Sequence, residues 1–182
     1  MAACRWDRTL YTSDQFVEAC GAVVFSSAAD NQDMSVCLLY HGGADEWLLP
    51  KGRRNCGETR PAAALREVLE ETGCTAELEP LRMATRAPHA AEPPDVPDEA
   101  REYDRLTEPF LLDVRDLTGH PPGGLKLVWW FVARLQDVAG PAEDQFQVRF
   151  VECTEAAARL TFQNDRDVLA KAIEVVGRQT TG

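Results

Sequence analysis

The sequence predicts an α/β sandwich built on a mixed β-sheet, and three observations favour it. Runs rich in valine and aromatic residues, typical of strands, lie on both sides of one alanine- and leucine-rich helical segment at 61–72. Two further helical segments follow only near the C-terminus. This irregular order is typical of a sheet that carries helices on its faces, and it argues against a repeated β-α-β array.

The first part of the chain is predicted to form a β-hairpin followed by a loop. Residues 16–25 and 34–41 are the two strands, and a polar segment rich in Ser, Ala, Asp and Asn turns between them. The short apolar stretch 47–50 ends at Pro50. Residues 51–60 are polar and contain glycine, so we expect a loop there.

The segment 61–72 is predicted to be a helix with defined ends. Pro61 stands at its start, where a missing backbone N–H is tolerated. Gly73 follows the last turn, where a left-handed residue is common. Leu65 and Leu69 are expected to mark the side of the helix that faces the core.

The second half of the chain is expected to hold the remaining strands and two helices. The segment 125–135 is the strongest strand signal in the sequence. Other strands are predicted near 75–86, 110–114 and 145–152. Helices are predicted at 154–162 and 164–177, with Thr154 and Asn164 as their N-caps.

Residues 87–109 form an insertion of unusual composition. They hold five of the eleven prolines, and seven acidic side chains against two basic ones. We favour a solvated insertion here, with an ordered lid as the alternative. The whole chain, 1–182, is predicted to be a single domain around this insertion.

The net charge of −11 argues against a general DNA- or RNA-coating role, because such proteins carry a basic face. We therefore expect no nucleic-acid partner. The segment 51–74 is the one stretch with a positive balance, five basic against four acidic side chains. A local basic pocket can still bind a small polyanion on an acidic protein.

The compartment is predicted to be cytoplasmic. No apolar run approaches the roughly 20 residues that cross a bilayer, so no membrane partner is expected. The N-terminus lacks the apolar core of a secretory signal; secretion after removal of a signal is the alternative. The six cysteines form no C-x-x-C pair, and we favour free thiols over a disulfide framework. A monomer or weak dimer is expected.

Three carboxylates on the predicted helix are the first candidates for chemistry. Glu67, Glu70 and Glu71 are spaced i, i+3 and i+4, so they project from one face. Such a stripe is commonly just a solvated surface. The functional interpretation is a site for Mg²⁺, which prefers oxygen ligands and keeps several waters.

The loop before the helix adds cations. Lys51, Arg53 and Arg54 carry charges suited to phosphate groups. Carboxylates that bind a metal, beside cations that bind phosphate, are the arrangement that phosphoanhydride hydrolysis needs.

Residues 52–74 resemble the Nudix box, G-x5-E-x7-R-E-U-x-E-E-x-G-U, where U is an aliphatic residue. Each position is filled, in order, by Gly52, Glu58, Arg66, Glu67, Val68, Glu70, Glu71, Gly73 and Cys74. Cysteine in the last slot is a mild departure. The order of strands and helices also resembles the family over most of the chain, with lower specificity.

The resemblance implies an α/β/α sandwich with a mixed sheet and a role for each box residue. Glu67, Glu70 and Glu71 would bind the essential Mg²⁺ or Mn²⁺, and one of them would help deprotonate the attacking water. Arg66 would orient the glutamates, together with Glu58; a purely structural ion pair is the alternative. The backbone carbonyl of Lys51 would join the metal shell.

Outside the box, three stretches are similar to the branch that cleaves diadenosine polyphosphates and diphosphoinositol polyphosphates: residues 19–25, 48–53 and 126–133. In that branch a Pro-Lys-Gly turn leads into the box and a lysine begins the strand facing the site; Lys51 and Lys126 match them. Arg53 stands where diadenosine tetraphosphate hydrolases typically show histidine, which favours a substrate denser in phosphate.

Four further residues have two interpretations each. Trp129 and Trp130 cannot both face the core, because a strand alternates its faces. One of them is expected either to stack an adenine ring or to cover the far helix, and we favour core packing. Glu143 and Asp144 lie where many relatives keep a late acidic residue that assists the metal or water; solvated loop acids are the favoured alternative.

The predicted function is thus Mg²⁺-dependent hydrolysis of phosphoanhydride bonds in diphosphoinositol polyphosphates, with diadenosine polyphosphates as overlapping substrates. Alternatives are hydrolases of dinucleoside polyphosphates, nucleotide sugars, other nucleoside diphosphates or RNA 5′ ends. A catalytically inactive Nudix-fold binding module is the alternative of another class. The complete set of box glutamates argues against it.

Overall fold

The computed structural model describes residues 7–26, 34–93, 95–121 and 123–181. Within these ranges the chain forms ten strands: β1 Phe16–Ser26, β2 Ser35–His41, β3 Glu46–Leu48, β4 Lys51–Arg53, β5 Cys74–Leu78, β6 Leu81–Thr85, β7 Arg101–Leu106, β8 Leu111–Asp116, β9 Leu125–Val138 and β10 Phe146–Glu152. The helices are α1 Arg60–Thr72, α2 Cys153–Arg159 and α3 Gln163–Gly177, followed by a 3₁₀ turn at Arg178–Thr181.

Eight strands form one mixed sheet. Its central order is β10-β2-β1-β9-β5; β3 pairs with β2, β4 with β1 and β8 with β9. The central pair, β1 and β9, is parallel, whereas the other pairs are antiparallel. β6 and β7 form a separate two-stranded sheet.

The sheet has a hydrophobic core on each face, which confirms the predicted α/β/α sandwich. On one face, Ala63, Ala64 and Val68 of α1 pack against β1 and β9. On the other face, buried residues of α3 such as Leu169 and Ala172 complete the larger core. The face carrying α1 is called the α1 face below, and the opposite one the α3 face.

The hydrophobic side of α1 differs from the prediction. Leu69 is 43% exposed and Leu65 is only partly buried. The buried stripe is made of small residues instead, because alanine lets the helix approach the sheet closely. Glu67 shares this buried side, with 8% of its surface exposed.

The insertion 87–109 is largely exposed, as expected, but it contains strand β7, which the sequence analysis missed. Its sequence is so rich in charge that it shows no apolar alternation. Tyr103 anchors it by donating a 2.8 Å hydrogen bond to Glu92, and Arg86 forms a 2.6 Å ion pair with Asp98. The predicted strand 75–86 is in fact two strands, β5 and β6.

The predicted N-caps Thr154 and Asn164 are wrong, because both residues lie inside their helices. Glu152 and Phe162 occupy the cap positions, and neither provides a side-chain cap. α2 follows β10 directly, so a hydrogen bond from the Cys153 N–H to Met34 replaces a conventional cap.

The described cysteines Cys20, Cys37, Cys56, Cys74 and Cys153 are free thiols, as predicted; Cys4 lies outside the described residues. Burial raises the pKa of Cys20 and of Cys153 to about 11, so these thiols stay protonated. Among the described residues, none of the helices is long and apolar enough to cross a membrane.

Candidate active site

Helix α1 is held in place by its ends. The Thr59 side chain caps it by accepting a 3.3 Å hydrogen bond from the Ala62 N–H, and proline follows within the first turn. Gly73 closes it with φ 69°, and its N–H donates to the Leu69 carbonyl at 2.8 Å. Because both ends are capped, the helix keeps one orientation. The carboxylates on its inner side therefore point towards the loop that precedes it.

Gly52 and Glu67 are in unusually close contact. A Cβ atom at position 52 would lie 1.8 Å from Oε2 of Glu67, so only glycine fits beneath this carboxylate. Gly52 pairs with Cys20 of β1 on the α1 face. The box glycine is therefore required for space rather than for an unusual backbone conformation.

Arg66 links the box residues into one network. Its guanidinium donates hydrogen bonds of 2.8 Å to each of Glu58, Glu67 and Glu70. A further bond of 2.9 Å reaches the Arg53 carbonyl. The bond with Glu58 raises the pKa of Arg66 and holds the pKa of Glu58 below its usual value. The predicted orienting position of Arg66 is thus present in the structure.

Glu71 lies against the backbone of β4. Its Oε2 accepts a 2.7 Å hydrogen bond from the Lys51 backbone N–H. Burial raises its pKa to about 7, although Lys51 opposes this, and the negative charges of Glu67 and Glu143 raise the pKa further. Burial also raises the pKa of Glu67. In the absence of a metal ion, the charged form of both carboxylates is therefore disfavoured.

Glu143 belongs to the same neighbourhood. Its negative charge contributes to raising the pKa of both Glu67 and Glu71. A 2.7 Å hydrogen bond from Gln145 orients its carboxylate. Glu143 is an exposed loop residue, as the favoured prediction expects, and its charge nevertheless acts on the two glutamates of α1.

The donor set suits a hard divalent cation. Glu67, Glu71 and Glu143 offer only oxygen ligands, which Mg²⁺ and Mn²⁺ prefer. Among the described residues, no three His, Cys, Asp or Glu side chains already converge on one point. Arg66 instead holds Glu67 and Glu70. A preformed cage is not needed, because Mg²⁺ is usually held by one or two carboxylates, waters and substrate phosphates.

A cationic group lies on the α3 face. Lys126 stands opposite Arg115 in the β8–β9 ladder. Burial lowers the pKa of Lys126, and the positive charges of Lys51, Arg115 and Arg53 lower it further. Like charges placed opposite each other destabilise a sheet, so this group is suited to a bound anion.

Asp165 and Asp113 hold Arg115 in position. Nη2 of Arg115 lies 2.7 Å from Oδ2 of Asp113 and 3.8 Å from Oδ1 of Asp165, at the start of α3. Asp165 is 3% exposed, and burial raises its pKa. The sequence analysis missed Arg115 and Asp165, because only the register of β8 against β9 brings Arg115 to Lys126.

Arg54, predicted to bind phosphate, lies in a different network. It forms a 2.9 Å ion pair with Glu18 and donates to the carbonyls of Asn55 and Glu58. Glu18 also accepts hydrogen bonds from Arg60 and from Nε1 of Trp129. Burial raises the pKa of Glu18, but these bonds outweigh burial and lower it overall.

Replacing Glu18 by glutamine should lower the free energy of unfolding by about 1–2 kcal/mol, because Arg54 and Arg60 lose their shared counter-charge. The Glu18 side chain is 11% exposed. Urea unfolding measures the change. Glu155→Gln is the matched control, since its i,i+4 ion pair with Arg159 is largely exposed and should contribute at most about 0.5 kcal/mol. Equal effects of both changes would contradict the anchoring role of Glu18.

In the metal-free protein, the ionisation of Glu71 should lower the free energy of unfolding as the pH rises from about 4 to 7. Folded Glu71 keeps its proton up to a pKa of about 7, whereas in the unfolded chain the carboxyl ionises near its usual pKa of about 4.3. The folded state therefore binds more protons in this range, and raising the pH favours unfolding. Urea titrations in EDTA should show a flatter pH dependence for Glu71→Gln. Identical pH profiles would disprove the raised pKa.

The two tryptophans separate as strand alternation requires. Trp130 is completely buried in the α3-face core. Trp129 is partly exposed on the α1 face, and the guanidinium carbon of Arg60 lies 4.0 Å from its ring centroid.

Comparison with known proteins identifies the family. A family model described as NUDIX domain matches residues 19–172. The chain is 27% identical over 176 residues to the 8-oxo-(d)GTP phosphatase of Mycolicibacterium smegmatis, covering 91% of this chain and 44% of that protein. It thus spans less than half the length of this relative.

Solved structures show the same fold at low identity. A C. elegans Ap4A hydrolase in a binary complex has a TM-score of 0.59 at 18% identity, covering 89% of this chain and 98% of that one. The NUDIX domain of Shewanella oneidensis NrtR, complexed with ADP ribose, has a TM-score of 0.58 at 14% identity, covering 94% of both chains. Together with the box geometry, the match over 19–172 shows that this chain belongs to the Nudix family.

Proposed function

We propose that the protein is a divalent-metal-dependent pyrophosphohydrolase of small, densely phosphorylated molecules, with diphosphoinositol polyphosphates as the first candidate substrate. The observation that carries this proposal is the cationic group around Lys126. Lys51, Arg53 and Arg115 all act electrostatically on this lysine, and so does the carboxylate of Glu71. Phosphate-binding cations and metal-binding carboxylates therefore share one neighbourhood.

The proposed roles belong to residues of the box and of the strand before it. Glu67 and Glu71 hold Mg²⁺ or Mn²⁺, with Glu70 and the Lys51 carbonyl as the further ligands that the family implies. Arg66 orients Glu67 and Glu70 through its 2.8 Å hydrogen bonds. A bound divalent cation lowers the pKa of its water and draws charge from phosphoryl oxygens.

The cationic side chains bind the phosphates. Lys51, Arg53 and Lys126 are the proposed contacts from the sequence, and Arg115 joins them because it faces Lys126 across the β8–β9 ladder. Arg54 is left out, because its guanidinium is already paired with Glu18. Preorganised cations stabilise the charge that develops on non-bridging oxygens.

A second candidate is hydrolysis of nucleoside or dinucleoside polyphosphates. The similarity to a protein named 8-oxo-(d)GTP phosphatase favours it. A long phosphate chain presents the same anionic groups to Lys126 as an inositol pyrophosphate does, so the cationic group alone does not separate the two substrates.

A substrate panel with Mg²⁺ and Mn²⁺, analysed by product mass, tests the proposal. It should include diphosphoinositol pentakisphosphate, diadenosine polyphosphates, 8-oxo-dGTP and a nucleotide sugar. Turnover of the inositol compound supports the first candidate; turnover of nucleotides alone supports the second. No turnover of any compound, with Mn²⁺ binding retained, would instead indicate a binding module.

A further inference from the structure

Asp165 is a buried carboxylate in the first turn of α3, with 3% of its surface exposed. Burial raises its pKa, whereas the positive charges of Arg115 and Lys51 and a hydrogen bond with the Leu49 backbone oppose this rise. The positive end of the helix dipole also stabilises a carboxylate in this turn. The charge of Asp165 is therefore directed at the cationic group around Lys126 and not at solvent.

The start of α3 is attached to the segment that leads into the box. The Thr161 N–H donates a 3.1 Å hydrogen bond to the Trp47 carbonyl, and the Thr161 hydroxyl accepts a 2.8 Å bond from the Trp47 N–H. The hydrogen bond between Asp165 and the backbone of Leu49, which is completely buried, adds a second attachment. Asp165 thus has a fixed position relative to this segment.

Arg115 has two carboxylate neighbours that come from different elements. Its Nε donates a 2.8 Å hydrogen bond to Oδ2 of Asp113 on the same strand, and its Nη2 lies 3.8 Å from Oδ1 of Asp165 on α3. Nη2 is buried, and no described residue accepts a hydrogen bond from it, although Oδ2 of Asp113 lies 2.7 Å away. The charge of Asp165 therefore restricts the guanidinium in a way that Asp113, which moves with the same strand, cannot.

We propose that Asp165 is a positioning residue for phosphate binding, which acts through Arg115 and does not touch the substrate. This inference rests on the phosphate-binding part of the proposed function. The Arg115 side chain is 29% exposed, and no described residue accepts a hydrogen bond from its Nη1. Nη1 is the donor that remains for a phosphate oxygen, beside Lys126 in the β8–β9 ladder. A guanidinium that is already oriented loses less conformational freedom when it binds phosphate.

Calorimetric titration of inorganic tripolyphosphate into the protein in EDTA tests this role without catalysis. Asp165→Asn should weaken binding roughly three- to tenfold, because the released guanidinium must then be immobilised by the ligand. Removing a negative charge beside a cation would by itself tighten anion binding, so weaker binding indicates a loss of orientation. Asp167→Asn is the matched control, since it makes the same charge change at an exposed position of α3, and it should bind normally.

A double-mutant cycle separates positioning from a purely structural role. Arg115→Ala should weaken tripolyphosphate binding, and adding Asp165→Asn should cause no further loss, because Asp165 acts through Arg115. Urea unfolding verifies that each variant is folded. Asp165→Ser keeps a hydroxyl acceptor for the Leu49 backbone and replaces Asp165→Asn in the same cycle if the asparagine variant does not fold.

The outcomes distinguish this inference from the proposed function. Unchanged or tighter binding by the Asp165 variant, or an equal further loss in the Arg115→Ala background, overturns the role of Asp165 alone. If the unchanged protein does not bind tripolyphosphate, the phosphate site and this inference are both overturned. Tripolyphosphate binding with the expected cycle, but without turnover of any compound in the substrate panel, supports the role of Asp165 and overturns hydrolysis.

Discussion

Replacing Glu71 by glutamine is expected to reduce kcat/KM by at least about 100-fold while stabilising the metal-free protein above pH 7. Activity should fall because a proposed metal ligand is lost, and loss of even an outer-shell partner typically costs about 10- to 100-fold. Stability should rise because burial disfavours the Glu71 carboxylate, whose pKa is about 7. Steady-state kinetics and urea unfolding in EDTA measure the two effects separately.

Glu77→Gln is the matched control for this change. Glu77 is an exposed glutamate on β5, directly after the same helix, so both activity and stability should be unaffected. A calorimetric titration with Mn²⁺ completes the test, since Glu71→Gln should weaken the metal and Glu77→Gln should not. Full activity of Glu71→Gln would remove this residue from the site.

Replacing Gly52 by alanine should also reduce turnover by roughly 100-fold, because the new Cβ must displace the Glu67 carboxylate. That atom would lie 1.8 Å from Oε2 and 2.1 Å from Cδ of Glu67. A 1 Å displacement of a catalytic group can cost about 100-fold in rate. The free energy of unfolding should fall by about 1–3 kcal/mol, because the displaced group is the flexible end of a side chain.

Gly140→Ala is the control for this substitution, since a Cβ at position 140 meets no atom within 4 Å. It should retain turnover and thermal stability. Measurements of kcat/KM and of Tm on the unchanged protein, on Gly52→Ala and on Gly140→Ala test this prediction. If Gly52→Ala hydrolysed the substrate at the normal rate, the close contact between Gly52 and Glu67 would have no role in catalysis.

Much of this arrangement was predictable from local sequence. The bounds of α1 follow from Pro61 and Gly73, which act through backbone geometry alone. The separation of Trp129 from Trp130 follows from strand alternation. The close placement of Lys51 and Lys126 was expected only from the resemblance to a family, because nothing local connects two residues so far apart in sequence.

The wrong or missing predictions have one cause: each depends on contacts between parts of the chain that are distant in sequence. Leu69 looked like a core residue, but the small side chains beside it let α1 approach the sheet along a different stripe. Arg54 looked like a phosphate ligand, but it pairs with Glu18 of β1, a strand that is distant in the sequence and adjacent in the fold. No sequence pattern marked Arg115, because its position beside Lys126 depends on the register of β8 against β9. Local patterns cannot carry such information.

The parallel pairing of β1 with β9 also bears on how the protein folds. Its ten registered pairs run from Phe16–Leu125 to Phe25–Arg134, so each pair joins residues 109 positions apart. Such long-range pairing slows folding, because loop-closure entropy is lost before the contacts form. Among the strands that the structure describes, β4, which carries Gly52 beneath Glu67, pairs only with β1. We therefore expect the catalytic geometry to assemble late, after most of the chain has been synthesised.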